Sequence, residues 1–189
     1  MKINFVTTNE HKFKVAETYL SQLSKSDIEL VQCKTEAPEI QDKSTEAVAR
    51  YSALWLSRHL GEAAIAADTG FCITALNGFP GPFLKYINEW LETTDILALM
   101  QDKKDRGAYF IDALAYAEPS GESTVFSSET HGKIIMGPEA PNTEWTIDGL
   151  FIPDGYNKTL AELDEETRIK VWDVSRWNKL VKYLEEKNG

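Results

Sequence analysis

Cysteine is scarce in this chain of 189 residues: Cys33 and Cys72 are the only two. Two thiols cannot build a disulfide framework, so a reducing, cytoplasmic setting is expected. His11, His59 and His131 show no metal-ligand spacing with the cysteines, so no zinc site is expected. No apolar run approaches the roughly 20 residues of a membrane helix, so no membrane partner is expected. The stretch Ile3-Asn4-Phe5-Val6 is too short for a secretory signal and reads as a first strand. Positive charge is in deficit: 20 basic against 30 acidic side chains leave −10. Without a basic face the chain is no general nucleic-acid binder. A glycine-rich phosphate loop, a Gly-x-Ser-x-Gly element, internal repeats and low-complexity segments are also missing.

What is present suffices for a core. Hydrophobic residues make up 42% and aromatics 11%, and one domain over 1–189, folded as two lobes, is expected at this length. Residues 2–6 form a strand that runs into a loop, and Asn9 caps a helix whose stripe is Phe13, Ala16, Tyr19, Leu20 and Leu23. Ile28 to Val31 is a second strand. Residues 44–60 form a helix with Val48, Tyr51 and Trp55 on one face. Ala63 to Ala67 is a buried strand ending at Asp68-Thr69-Gly70, and an extended pattern resumes over 71–76. Asn77 to Pro82 is a turn into a helix through Tyr86 and Trp90, with another over 94–102. Strands 107–117 and 122–135 meet at a hairpin, a short strand lies around 148–152, and one last helix falls within 164–187. The pattern is α/β with a mixed sheet.

Three places carry potential chemistry, because polar residues after strands are where α/β proteins put their sites. Thr7-Thr8-Asn9-Glu10-His11-Lys12 offers hydroxyls, helix-start amides and a lysine one turn in, a set that can hold phosphate. By itself it also reads as an N-cap followed by a solvated lysine. Pro38-Glu39-Ile40-Gln41 places a carboxylate in an extended segment, suited to Mg²⁺ or simply exposed on a loop. Asp68 ends an apolar strand, where a carboxylate needs a metal, a lysine or backbone donors. A strand-end cap using Thr69 is the plainer account.

Taken in order, these segments resemble the Ham1/inosine triphosphate pyrophosphatase family. The likeness covers roughly residues 2–163. It is carried by Phe5 to Lys12, Ala37 to Gln41, Ala67 to Phe71, Ala75 to Tyr86, and Asp148 to Tyr156 followed by Lys158 to Leu163. The resemblance implies an α/β fold of two lobes around a long central mixed sheet with a cleft, usually in a homodimer. It implies Mg²⁺-dependent hydrolysis of nucleoside triphosphates to monophosphate and pyrophosphate, with deaminated purines preferred. Thr7, Thr8, Asn9 and Lys12 would hold phosphates, with Thr69 and Lys85 near the phosphate chain. Glu39 and Asp68 would bind Mg²⁺, and Asp68 would orient or deprotonate the attacking water.

The base-recognition segments depart from that family. Its Phe-Gly-(Trp/Tyr)-Asp-Pro element is here Trp145-Thr146-Ile147-Asp148-Gly149, which leaves Trp145 to stack on the base and Asp148 to bind it. Its Ser-His-Arg element aligns with Trp172-Asp173-Val174, or after a shift of two with Val174-Ser175-Arg176. Arg168 stands where the family has a lysine, and Tyr51, beside Arg50, replaces another. Asp173 in place of donors would favour a base bearing an exocyclic amine, because an ionised carboxylate only accepts. Arg168 and Arg176 are the candidates to supply donors for a keto oxygen instead. The competing reading is a catalytically weak nucleotide-binding or sensing protein of the same fold. A pyrophosphatase of the Maf type is disfavoured, because its N-terminal Ser-x-Ser is absent.

Overall fold

The structure is a computed structural model, and it describes residues 2–7, 10–21, 29–35, 37–137, 143 and 145–188. Thr8, Asn9, Leu23 and Ile28 lie outside the described residues, as does most of the loop expected between Gly137 and Asn142.

Among the described residues seven strands form a mixed sheet in the order β2-β1-β3-β5-β6-β7, with β4 also paired to β3. The strands are β1 (Lys2–Val6), β2 (Glu29–Cys33), β3 (Ala63–Ile73), β4 (Phe79–Gly81), β5 (Gly107–Ala117), β6 (Ser123–Ile134) and β7 (Phe151–Pro153). β1 runs parallel to β2 and to β3, in register Phe5↔Gln32 and Phe5↔Ile65. β3/β4 and β6/β7 are antiparallel. The helices are α1 (Glu10–Leu20), α2 (Thr45–Leu60), α3 (Leu84–Trp90), α4 (Thr93–Leu99), α5 (Glu165–Val171) and α6 (Ser175–Asn188). No helix among the described residues is long and apolar enough to cross a membrane. Neither cysteine forms a disulfide.

The chain divides into two compact units. One comprises Met1–Asp68, Asp112–Ser128 and Val174–Gly189; the other comprises Thr69–Ile111 and Glu129–Asp173. In the first, Ile3, Phe5, Ile65, Leu114 and Tyr116 of the sheet are buried against Ala16 and Leu20 of α1 and Trp177, Leu180 and Leu184 of α6. A second patch of small residues lets α2 approach the sheet closely: Ala49 and Ala53 meet Ala66, Ala113, Ala115 and Ala117. In the other unit Phe71, Phe110, Phe151 and Ile134 form the centre, with Phe71–Phe110 ring centroids 4.7 Å apart.

Local chemistry sets the boundaries. Ser44 caps α2 by accepting from the Ala47 amide at 3.2 Å, and Gly61, with φ +67°, ends it in the left-handed region that favours glycine. The buried face of α2 is Val48, Ala49, Ala53 and Leu56; Tyr51 falls off it and is exposed. β3 does not stop at Asp68. It continues through Thr69 and Gly70 to Ile73, because its far half gains β4 as a partner. The expected single C-terminal helix is two helices. Trp172 ends α5 in an extended conformation (φ −77°, ψ 129°), and its ring packs edge-on against Phe110 at 5.1 Å. The segment around 148–152 is a 3-10 turn over Thr146–Gly149 followed by β7.

Candidate active site

Among the described phosphate and metal candidates, Thr7, Asp68 and Thr69 sit on backbone fixed by strand pairing. Thr7 leaves β1 with its amide donating to the Cys33 carbonyl at 3.1 Å, and its own carbonyl accepts from Gln32 Nε2 at 3.1 Å. Lys12 is exposed in the first turn of α1. Glu39 is exposed on the extended segment before α2. Asp68 lies inside β3, half-buried, with its Oδ2 fully buried. Thr7, Lys12, Glu39 and Asp68 all belong to the first unit. Thr69 follows Asp68 in β3 and belongs to the second, as does Lys85, exposed in the first turn of α3.

The donor set fits a hard divalent cation. Both candidate ligands are carboxylates, and Mg²⁺ is commonly held by one or two carboxylates with phosphate oxygens and water completing the shell. Among the described residues no group of three or more His, Cys, Asp or Glu is placed to hold a metal. A two-carboxylate site completed by substrate does not need one.

The base-recognition candidates divide between the units. In the second, Thr146 Oγ1 donates to the Leu91 carbonyl at 2.7 Å and so anchors the 3-10 turn that carries Asp148. Asp148 is buried, and its carboxylate accepts from Arg168 Nη2 of α5. The Asp148 side chain is 12% exposed and that of Arg168 40%, so the pair opens to solvent on the arginine side. Trp145, just before the turn, is 49% exposed. Trp172, by contrast, is held on Phe110 and is a packing residue.

Asp173 is exposed, and its amide donates to Thr130 Oγ1 at 3.0 Å. An exposed carboxylate pays no penalty for an unmatched partner, so the argument that it selects an amine-bearing base loses its physical ground.

In the first unit Arg176, at the start of α6, donates from Nη1 to Ser128 Oγ at 2.9 Å and lies 3.5 Å from Asp112 Oδ2. Sequence reasoning passed over Asp112 and Ser128. A signal for Asp112 was available: it is the sole charged residue in the β5 stretch Gly107–Ala117.

Fold and site together define a class: a mixed-sheet α/β protein with hydroxyl, cationic and carboxylate groups on the segments following β1, β2 and the first half of β3. Such a set can hold a phosphate-bearing ligand and a cation. The Ham1 family model matches residues 3–179. A dITP/XTP pyrophosphatase of Methanopyrus kandleri is 35% identical over 171 residues, 90% of this chain and 89% of that one. Its counterpart in Ignicoccus hospitalis is 36% identical over 97% of this chain and 96% of its own. A crystal structure described as a nucleoside-triphosphatase / dITP/XTP pyrophosphatase from Mycobacterium abscessus superposes with a TM-score of 0.78 at 29% identity, covering 97% of each chain. A Ham1 protein from Coxiella burnetii shares the fold, with a TM-score of 0.80 at 22% identity over 98% of this chain and 99% of that one. The chain belongs to the Ham1 family.

Proposed function

We propose that this protein is a divalent-metal-dependent nucleoside triphosphate pyrophosphatase. It clears non-canonical purine nucleotides of the ITP and XTP type, in ribose or deoxyribose form. The names of its relatives support the reaction, and the Asp148–Arg168 pair beside Trp145 is the observation that carries the choice of base. A carboxylate accepts and a guanidinium donates. Side by side they match the N–H and keto oxygen on the lactam edge of a deaminated purine. Adenine presents the reverse order, an acceptor and an amine.

In this reading Thr7, Thr8, Asn9, Lys12 and Lys85 bind the phosphates, and Thr69 joins them. Glu39 and Asp68 would hold Mg²⁺, which when bound offsets triphosphate charge and favours hydroxide formation. Asp68 also orients the attacking water and takes its proton. The water oxygen bonds to the α-phosphorus, the bond from that phosphorus to the bridging oxygen breaks, and pyrophosphate leaves with the electron pair. Trp145 stacks on the base and Arg176 supplies a further donor. A homodimer in a reducing cytoplasm is proposed with it, on the family resemblance and the two cysteines outside any disulfide.

Pyrophosphate release from ITP, XTP, dITP and the common nucleotides with Mg²⁺ tests the reading. ITP or XTP should lead, and Asp68→Asn should lose about 100-fold or more in kcat with its thermal melt unchanged. Nucleotide binding without release from any triphosphate would support a sensing protein instead.

A further inference from the structure

The turn that carries Asp148 is secured at its two ends by different means. Its far end is held by backbone, the Ile135 amide donating to the Leu150 carbonyl at 3.0 Å. Its near end is held by a side chain: Thr146 Oγ1 donates to the Leu91 carbonyl, 55 positions away, at 2.7 Å. Thr146 is 7% exposed, so water scarcely competes for that bond. Leu91 is the residue that ends α3, its own amide donating to the Ile87 carbonyl at 3.0 Å. Carbonyls at a helix C-terminus have no partner within the helix and take a donor from outside it. The family element that aligns here has glycine in place of Thr146, and glycine has no side chain to make the tie. The hydroxyl is not needed to fill the space, since valine has the same shape. What it adds is direction.

The other end of α3 carries Lys85, in its first turn. Lys85, Trp145, Thr146, Asp148 and Arg168 all belong to one compact unit. At about 1.5 Å of rise per residue, the tied end of α3 stands about 9 Å along the helix axis from Lys85. We infer that Thr146 is a positioning residue: by tying the turn of Trp145 and Asp148 to the end of α3, it fixes their distance from Lys85. The inference rests on the proposed pyrophosphatase activity and deepens it by naming a determinant of base choice that does not touch the substrate. One short helix then spans the groups proposed for the phosphates and those proposed for the base. Groups held in place before substrate arrives need no ordering on binding, which puts the effect in KM rather than in kcat. A turn free to shift presents Asp148 and Arg168 out of register with the lactam edge, and discrimination between bases falls.

The test is steady-state hydrolysis of ITP and ATP by the full chain, with tripolyphosphate as an inhibitor that has no base. Thr146→Val keeps the shape and removes the donor. It should lower kcat/KM for ITP about 10-fold, chiefly through KM, and change the slower ATP reaction little, so the ITP-over-ATP ratio falls. Inhibition by tripolyphosphate should stay within about 2-fold of wild type, because that ligand does not reach the turn. Thr146→Ser should recover most of the ratio. Ile73→Val, which removes one methylene from the same core without touching the tie, controls for lost stability and should leave the ratio in place. A ratio unchanged in Thr146→Val overturns the inference and leaves Thr146 a packing residue. So does an equal fall in Ile73→Val, or tripolyphosphate inhibition weakened as much as ITP binding. A wild-type chain that releases pyrophosphate from no triphosphate overturns the activity itself and the inference with it, a failure visible before any variant is compared.

Discussion

At the residue scale, the chemistry depends on which charges are enclosed. Asp148 is buried while its partner Arg168 is 40% exposed, so Arg168→Ala leaves a carboxylate facing inward with its guanidinium gone. Water reaches the arginine side and screens the loss. The expected cost is therefore about 1–2 kcal/mol in chemical denaturation, below that of a fully buried pair. Arg168→Lys should recover most of that stability, yet it should not restore ITP turnover, because an ammonium lacks the planar fork. The acid-rich start of α5 has a different explanation. Asp164 is the N-cap, accepting from the Thr167 amide at 2.8 Å, and that hydrogen bond holds its carboxyl below the usual carboxylate range. Asp148 and Arg168 were legible in the sequence as single residues. The pairing of Asp148 with Arg168, 20 positions apart, was not.

At the element scale, contact geometry decides what each strand tolerates. Gly132 of β6 faces Pro153 of β7, and a Cβ there would lie 2.6 Å from Phe151 Cζ, as well as against the Ile152 carbonyl. Neither the backbone nor a ring packed in the core can yield. Gly132→Ala should therefore cost about 3 kcal/mol, with a clear fall in melting temperature.

A second device ties α6 to the turn between β5 and β6. Lys187 Nζ sits 2.8 Å from both Glu118 and Glu122, and the Tyr183 hydroxyl donates to Glu122 at 3.0 Å. The hydrogen bond from Lys187, then that from Tyr183, lowers the Glu122 carboxyl. Bonds to Glu118 and then Glu122 raise Lys187. The carboxylate's contribution is complete above its ordinary 4.5 and disappears as pH falls through its depressed value. The lysine's contribution is complete below 10.5 and disappears as pH rises through its elevated value. Melting temperature should plateau between these limits and fall on both sides, and Lys187→Met should flatten both limbs relative to wild type. Hydrophobic periodicity anticipated β5, β6 and α2 within a residue or two. It did not anticipate the break at Trp172, because a helix-compatible pattern says nothing about a ring held by Phe110.

At the scale of the whole molecule, net charge acts on encounter. The chain carries −10, and a nucleoside triphosphate is strongly anionic, so the long-range field opposes approach. Screening should relieve that repulsion: kcat/KM for ITP should rise about 2-fold between about 0.02 M and about 0.2 M NaCl at fixed free Mg²⁺. A fall over that range would mean that the lysines of the site dominate the local field.

The sequence by itself determined the class of this protein, a mixed α/β chain whose ordered motifs single out Thr7, Lys12, Glu39 and Asp68. Those features are local: hydrophobic period, turn chemistry and short contiguous motifs record them directly. Only the tertiary structure decided that β3 runs on past Asp68, that Asp173 is exposed, and that Asp112 and Ser128 surround Arg176. Each depends on what another segment, distant in the chain, contributes: β4 alongside β3, Thr130 against the chain before α6, β5 and β6 beneath its first turn. A single sequence records which residue stands at each position. Its partners are set by packing, which is collective and leaves no local signature.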